Sequence, residues 1–273
     1  MNTPYAALKL ILCCLLAAQF TQAQRLNGGF NKSEYIETLK INQKAHVAVD
    51  KFSDSSVIPD PQDYAFVYRS PRLAFDNIWD LWINKNHSVA VIAVQGSIQT
   101  GASFLANFYA AMVPAKGSLQ LDKNFQFQYD LSDNPRAAVH VGWLVALGYL
   151  STSIKEQIDS CYKAGIKDFI VTGHSQGGAI TFLLTSYLKN LQSENKIPSD
   201  IRFKTYCSAG PKPGNLFYAY DYENSTRGGW AYNVINTADW VPDVPFSVQT
   251  VDDFTAVNTF RGAKAAIDRK SVV

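Results

Sequence analysis

The five residues Gly173-His174-Ser175-Gln176-Gly177 fit the pattern G-x-S-x-G, in which a serine can act as a nucleophile toward an acyl carbonyl. The pattern is short enough to occur by chance, so the surrounding sequence must decide whether Ser175 is a nucleophile. An apolar run at 169–173 precedes the serine, and a helical pattern without proline follows it. This strand–turn–helix setting predicts a nucleophile elbow, where glycines avoid collisions and the helix amino terminus favours negative charge. The alternative is a tight turn with a surface serine.

Serine-based ester hydrolysis also needs donors for the oxyanion. The apolar run "VAVIAVQ" at 89–95 ends in Gly96 and Ser97, immediately after a predicted strand. A backbone amide at Ser97, together with that of Gln176, could hold a tetrahedral oxyanion. The alternative at Ser97 is an ordinary polar turn.

An acid that orients the catalytic base is the third requirement. Asp239 follows the apolar run at 231–237, and Pro242 and Pro245 come shortly after it. The chain order of serine before aspartate is the order of an α/β-hydrolase. The alternative is a turn or helix-cap aspartate, which is common in such loops.

Short apolar runs and long helical patterns alternate around these residues. Helical spacing over 143–161 and after Ser175 predicts two helices between the buried strands. This alternation predicts an α/β fold with a mostly parallel central sheet and helices on both faces. A further run, 125–131, predicts an edge strand. The predicted strands of the central sheet lie at 89–95, 169–173, 203–209 and 231–237.

Composition sets limits on the class of protein. The chain has 273 residues, 47% of them hydrophobic, and a formal net charge of +2, so one domain is expected and no basic arm indicates nucleic acid. No metal-ligand spacing or phosphate-binding glycine loop is present, so no cofactor is expected. Nothing implies an obligate protein partner. Cys161 and Cys207 are expected to be separate buried thiols rather than a disulfide.

The amino-terminal residues have the pattern of a secretory signal. Lys9 precedes a short apolar run, and Thr21 and Ala23 are small residues at the expected cleavage region. We therefore expect a signal peptide over 1–23, a mature domain over 24–273, and export as a secreted or periplasmic protein. The rival interpretation is a lipoprotein cysteine at Cys13 or Cys14.

Five stretches together resemble the class 3 lipases, the fungal-lipase-like branch of the α/β-hydrolase fold. The resemblance implies acyl-ester hydrolysis with Ser175 as nucleophile, Asp239 as the acid, and Ser97 and Gln176 as oxyanion donors. Gln95 stands where the family usually has arginine, and Gln176 where it often has leucine. The stretches are "VIAVQGS" at 91–97, "AVHVGW" at 138–143, "VTGHSQGGA" at 171–179, "CSAGPKPGN" at 207–215 and "NVINTADWVPDVP" at 233–245.

The segment at 100–117, which we call the lid segment, carries apolar residues at helical spacing, and Pro114 and Gly117 are expected to end that helix. The resemblance implies a lid that turns its apolar face toward lipid, and the alternative is an ordinary core helix. The apolar residues are Phe104, Leu105, Phe108, Tyr109 and Met112.

All four histidines precede Ser175 in the chain, whereas the family's base follows the acid. His140 belongs to the "AVHVGW" stretch, for which the resemblance implies a structural role, and it is the fallback candidate for the base. His46 and His87 are expected to lie away from the site, and His174 to point away from the serine oxygen. We therefore expect a lipase truncated at its carboxyl terminus, with its histidine beyond residue 273.

These residues favour a secreted serine ester hydrolase, a lipase or carboxylesterase acting on acyl esters of lipids. In the 273-residue form it is expected to be weakly active or inactive. The alternative is a non-catalytic lipid-surface binding protein that lacks the base. An acyltransferase or peptidase on the same fold is a third interpretation.

Overall fold

The computed structural model describes residues 26–54, 59–109 and 111–244. In chain order the helices are α1 (Lys32–Lys44), α2 (Gly101–Phe108), α3 (Val141–Lys163), α4 (Gln176–Ser193) and α5 (Leu216–Ser225). Short 3-10 helices lie at Val49–Asp54 and Val241–Asp243. The strands are β1 (Tyr64–Arg69), β2 (Trp79–Asn84), β3 (Val89–Val94), β4 (Met112–Pro114), β5 (Lys116–Asp122), β6 (Phe125–Asp130), β7 (Ala138–His140), β8 (Asp168–His174), β9 (Arg202–Ser208) and β10 (Ala231–Val234).

The central sheet has the strand order β1-β2-β3-β8-β9-β10. The pairs from β3 through β10 are parallel, while β1 and β2 are antiparallel to their neighbours. Gly173 at the end of β8 is in register with Val94 of β3 and with Cys207 of β9. The carboxyl ends of these three strands therefore lie side by side. The residues predicted to be catalytic follow the strands at this edge of the sheet.

The sheet is buried on both faces, as its continuous apolar runs predict. Every residue of β3 is buried, and alternate residues pack into two separate cores. Ala90, Ile92 and Val94 pack with the core that includes α3 and α4, whereas Val91 and Ala93 pack with the core that includes Ile41 of α1. The predicted layers are thus confirmed, as are the four predicted strands and both predicted helices, with shifted ends.

Two features differ from the sequence expectations. Residues 125–130 do form a strand, but β6 pairs with β5 in a separate hairpin and is not an edge of the central sheet. The antiparallel strands β1 and β2 were not predicted.

Cys161 and Cys207 are both buried and free, as expected.

Candidate active site

Ser175 lies in the turn between β8 and α4, with φ 56° and ψ −127°. This conformation is sparsely populated for a residue with a side chain and is found at functional turns. The backbone N–H of Ser175 donates a hydrogen bond to the carbonyl of Ser208 at 2.9 Å, which anchors the turn to the end of β9. The side chain is partly exposed, so its hydroxyl is held at the carboxyl edge of the sheet.

The flanking glycines allow this turn for a steric reason. A Cβ added at Gly173 would lie 2.3 Å from the carbonyl oxygen of Gly177, and a Cβ added at Gly177 would lie 2.2 Å from that of Val94. Both contacts are with backbone atoms, which cannot rotate away. Any side chain at either position would therefore push α4 away from the sheet.

The oxyanion turn, a name we use for Gly96-Ser97, follows β3 and lies directly beside the elbow. A Cβ added at Gly96 would lie 2.7 Å from the carbonyl oxygen of His174, so the turn packs against the end of β8. Gln176 is the first residue of α4, where a backbone amide has no acceptor in a preceding turn of its helix. Ser97 and Gln176 thus come from neighbouring strand ends, as the proposed pair of donors requires.

Asn107 connects both candidate donors, although nothing in the sequence pattern singled it out. Its Nδ2 donates to Ser97 Oγ at 3.0 Å, and its Oδ1 accepts from Gln176 Nε2 at 2.9 Å and from Trp143 Nε1 at 3.1 Å. The buried Gln176 side chain also donates to the carbonyl of Ser103. Helix α2 is therefore bonded both to the elbow and to the oxyanion turn.

Asp239 lies in the loop after β10 and is partly buried. Its Oδ1 accepts a hydrogen bond from the N–H of Val241 at 3.0 Å, which is the contact expected of a turn aspartate. Its charge also reaches the elbow. Burial lowers the pKa of His174, and the negative charge of Asp239 acts against that effect. Asp239 is therefore close enough to influence a ring next to Ser175.

His140 is fully buried and is held by both ring nitrogens. Its Nδ1 accepts from the N–H of Trp143 at 3.4 Å, and its Nε2 bonds with the carbonyl of Asn107 at 3.3 Å. The ring also stacks on Trp143 with a centroid distance of 3.8 Å. These contacts favour the structural role over the role of base. No hydrogen bond among residues 26–54, 59–109 and 111–244 joins Ser175 Oγ to an imidazole.

Burial of His140 should make the protein sensitive to acid. Desolvation lowers the pKa of His140 from 6.5 to about 4, so the unfolded chain binds this proton more readily than the folded one. The free energy of unfolding should decrease as the pH falls below 6.5 and level off below about 4, by about 3 kcal/mol. The His140→Asn variant keeps a side-chain acceptor at the helix cap. Guanidinium unfolding of this variant should show no such decrease in the free energy of unfolding at low pH.

The matched control for this measurement is His87→Asn, because His87 is exposed and has a positive φ that asparagine tolerates. It should keep the wild-type pH dependence. If His140→Asn also kept the full pH dependence, burial of His140 would not be its cause.

His46 does not lie away from the site, which corrects the sequence expectation. It follows the last turn of α1, and a Cβ added at Gly96 would lie 3.7 Å from His46 Nε2. The chain folds α1 onto the sheet so that its end reaches the oxyanion turn. His174 also contacts this edge, since its Nδ1 bonds with Ser208 Oγ at 3.1 Å.

The lid segment is helical only over Gly101–Phe108, which is shorter than expected. Residues Met112–Pro114 form β4, which pairs with β7, so strand pairing ends the helix before Pro114. The large apolar side chains are exposed, up to 77% at Phe108, while Ser103 and Ala106 are buried. The alternative of an ordinary core helix is therefore wrong for α2, because its apolar face points outward.

Comparisons with known proteins agree with this fold. Residues 91–249 match the family described as Lipase (class 3). The chain is 28% identical over 171 residues to the secreted mono- and diacylglycerol lipase 1 of Fusarium solani, covering 60% of this chain and 48% of that protein. The chain thus spans about half the length of this relative.

Solved structures of lipases share the fold of this chain. The Rhizomucor miehei lipase–propeptide complex has a TM-score of 0.56 at 20% identity, covering 80% of this chain and 63% of that one. A triacylglycerol lipase described as having a catalytic centre formed by a serine protease triad has a TM-score of 0.57 at 20% identity, with 80% and 74% covered. The fold is therefore that of the α/β-hydrolases. Because the family match covers more than half of the sequence, the chain belongs to the class 3 lipase family.

Proposed function

We propose that this protein is a secreted serine ester hydrolase that cleaves acyl esters of lipids. The observation that carries the proposal is the elbow at Ser175, with its positive φ and its position beside the oxyanion turn. Membership of a lipase family supports ester hydrolysis as the reaction class. A secreted relative supports export. The proposed signal peptide at 1–23 lies outside the described residues.

In the proposed reaction, Ser175 Oγ attacks the ester carbonyl carbon while its proton passes to a base. The amides of Ser97 and Gln176 stabilise the negative charge that develops on the carbonyl oxygen, typically by about 3–4 kcal/mol for each donor. The alcohol leaves with the proton, and an acyl ester remains on Ser175. Water then attacks this ester, and release of the fatty acid restores the serine.

Asp239 is proposed as the acid that orients the imidazole accepting this proton. Its electrostatic effect on His174 supports a position near the elbow. His140 is not proposed as the base, because both of its ring nitrogens are engaged in a buried site. Within the described chain, Ser175 Oγ has no imidazole partner, and this favours one second candidate function, a non-catalytic lipid-surface binding protein.

Helix α2 is the proposed surface for contact with lipid. Phe104, Leu105 and Phe108 expose large apolar side chains on a helix that is bonded to both the elbow and the oxyanion turn. An exposed apolar helix face of this kind binds the interfacial region of lipid assemblies. Among the described residues, no helix combines the length and apolar character needed to cross a bilayer.

The proposal is tested by comparing hydrolysis of a soluble short-chain p-nitrophenyl ester with hydrolysis of emulsified diacylglycerol. We expect the wild type to hydrolyse both, weakly in its 273-residue form. Replacing Phe104, Leu105 and Phe108 by serine should lower the rate on the emulsion by about tenfold, since less apolar area enters the lipid. The rate on the soluble ester should change by less than about twofold, because no catalytic group is removed.

Tyr220→Ser is the matched control, since Tyr220 is an exposed aromatic residue on α5. It should leave both rates unchanged. An equal loss on both substrates in the α2 variant would contradict the lipid-contact role. If the protein bound lipid vesicles but showed no Ser175-dependent hydrolysis of either ester, the second candidate function, a non-catalytic lipid-surface binding protein, would take the place of the proposed hydrolase.

A further inference from the structure

The side chain of Gln176, as distinct from its backbone amide, forms a buried bridge between α4 and α2. Its Nε2 donates to the carbonyl of Ser103 at 3.0 Å and to Asn107 Oδ1 at 2.9 Å. The residue is only 1% exposed. Both hydrogens of the amide nitrogen are therefore used, and both bonds end on the same helix.

The orientation of this amide is set by its neighbours. Trp143 Nε1 can only donate, so the Asn107 atom that it contacts at 3.1 Å is the oxygen. Gln176 must then present its nitrogen to that oxygen and its Oε1 to the opposite side. There Oε1 accepts from Nδ2 of the buried Asn77 at 3.1 Å.

Asn77 belongs to the connection between β1 and β2, and this connection also holds the beginning of α2. Asp76 Oδ2 accepts from Oγ1 of Thr100 at 2.7 Å, and the same Oγ1 accepts from the N–H of Ser103 as the cap of α2. The bonds thus form a closed ring. From Gln176 the ring passes through Ser103 to Thr100, and it returns through Asp76 and Asn77.

This ring lies on the side of α2 that faces the protein. Ser103 and Ala106 are buried on that side, while Phe104, Leu105 and Phe108 are exposed on the other. Helix α2 can therefore turn relative to the elbow only by breaking hydrogen bonds that are partly or fully buried, which leaves their donors and acceptors unpaired. Leucine, which the family often has in place of Gln176, could make none of the side-chain bonds.

We propose that the Gln176 side chain and Asn77 are positioning groups that hold α2 with its apolar face outward before the protein meets lipid. The inference rests on the proposed function, because it concerns the helix proposed to contact lipid. In contrast to the lid that the family resemblance implies, α2 does not have to turn. A surface already held in its binding arrangement loses less conformational freedom on contact, which favours binding.

Amide hydrogen exchange of a peptide covering 100–109 tests this positioning without any activity. Gln176→Met, which replaces the amide by an unbranched apolar side chain, removes all three bonds and should make exchange in α2 faster by about tenfold or more. Asn77→Leu removes one bond of the ring, and with it an Oδ1 that is buried without a hydrogen-bond partner in the described part of the chain. It should therefore fold and give a smaller increase.

Gln192→Met is the matched control, with guanidinium unfolding used to correct each variant for global stability. Gln192 also lies on α4, and its Nε2 also donates to two acceptors, the carbonyls of Pro198 and Ile201. The control should leave exchange in α2 unchanged. Wild-type exchange of α2 in Gln176→Met would overturn the proposal.

Phosphatidylcholine vesicles test whether α2 is ordered before it contacts lipid. Exchange of the wild-type peptide should change by less than about twofold on adding vesicles, whereas vesicles should slow exchange in Gln176→Met toward the wild-type rate. The ratio of hydrolysis on emulsified diacylglycerol to that on a soluble p-nitrophenyl ester should fall by about threefold in Gln176→Met and not in Gln192→Met. Equal slowing by vesicles in wild type and Gln176→Met would overturn the proposal. If the wild type neither hydrolyses the esters nor binds vesicles, the proposed function fails, and exchange without lipid still decides whether Gln176 holds α2.

Discussion

Ester hydrolysis should be lost in Ser175→Ala, with kcat/KM on a soluble p-nitrophenyl ester falling to the uncatalysed background. The substitution removes the only proposed nucleophile. It keeps the Cβ atom, so the strain at φ 56° is the same in both proteins and the fold should be retained. A fluorophosphonate, which reacts with activated serines, should label the wild type and not the variant.

Ser118→Ala is the control, because Ser118 is an exposed serine on the β5–β6 hairpin. It should keep both hydrolysis and labelling. Wild-type labelling of a folded Ser175→Ala protein would place the nucleophile elsewhere. Labelling of Ser175 with transfer of the acyl group to an alcohol or amine, rather than to water, would favour an acyltransferase on the same fold.

The elbow could be predicted from sequence because its determinants are local. The turn requires glycine at Gly173 and Gly177, where a Cβ would meet backbone oxygens, and these residues lie within five positions of each other. The parallel strands were predicted for a similar reason, since burial on both faces makes β3 apolar at every position. In both cases the residues that form the recognisable sequence pattern are the same residues that determine the local structure.

Strands β1 and β2 were missed because their stabilising contacts are not local. The buried Asp80 interrupts the apolar pattern of β2, and its partner Arg69 lies on the adjacent strand. A charge in a strand is tolerated when it is paired and hydrogen-bonded, but sequence spacing does not reveal that partner. The early end of α2 has a similar origin, because pairing of β4 with β7 outweighs helical periodicity.

Within the candidate site, the residues that were missed act through long-range contacts. Asn107 bonds to Gln176, and His46 reaches Gly96, in each case across a large separation in the chain. Neither residue belongs to a local motif. The elbow and the strand ends beside it could be predicted, whereas the contacts of Asn107 and His46 with this edge required the fold.

The largest effect on folding is expected from Gly177→Ala. A Cβ at this position would lie 2.2 Å from the carbonyl oxygen of Val94 and 2.9 Å from the carbonyl carbon of Gln95. Relief would require α4 to move away from β3, which would open the core on that face of the sheet. We expect a loss of about 4 kcal/mol or more in the free energy of unfolding, or no soluble protein. Guanidinium unfolding followed by circular dichroism measures this loss.

Gly101→Ala is the matched control for this substitution. Gly101 is also in the first turn of a helix, but an added Cβ there meets nothing within 4 Å. Alanine should be neutral or stabilising by up to about 1 kcal/mol at that position, because it restricts the unfolded chain and favours the helix. The two variants make the same chemical change, so their difference isolates the contact between the elbow and β3. A Gly177→Ala protein within about 1 kcal/mol of wild type would show that α4 does not pack this closely on β3.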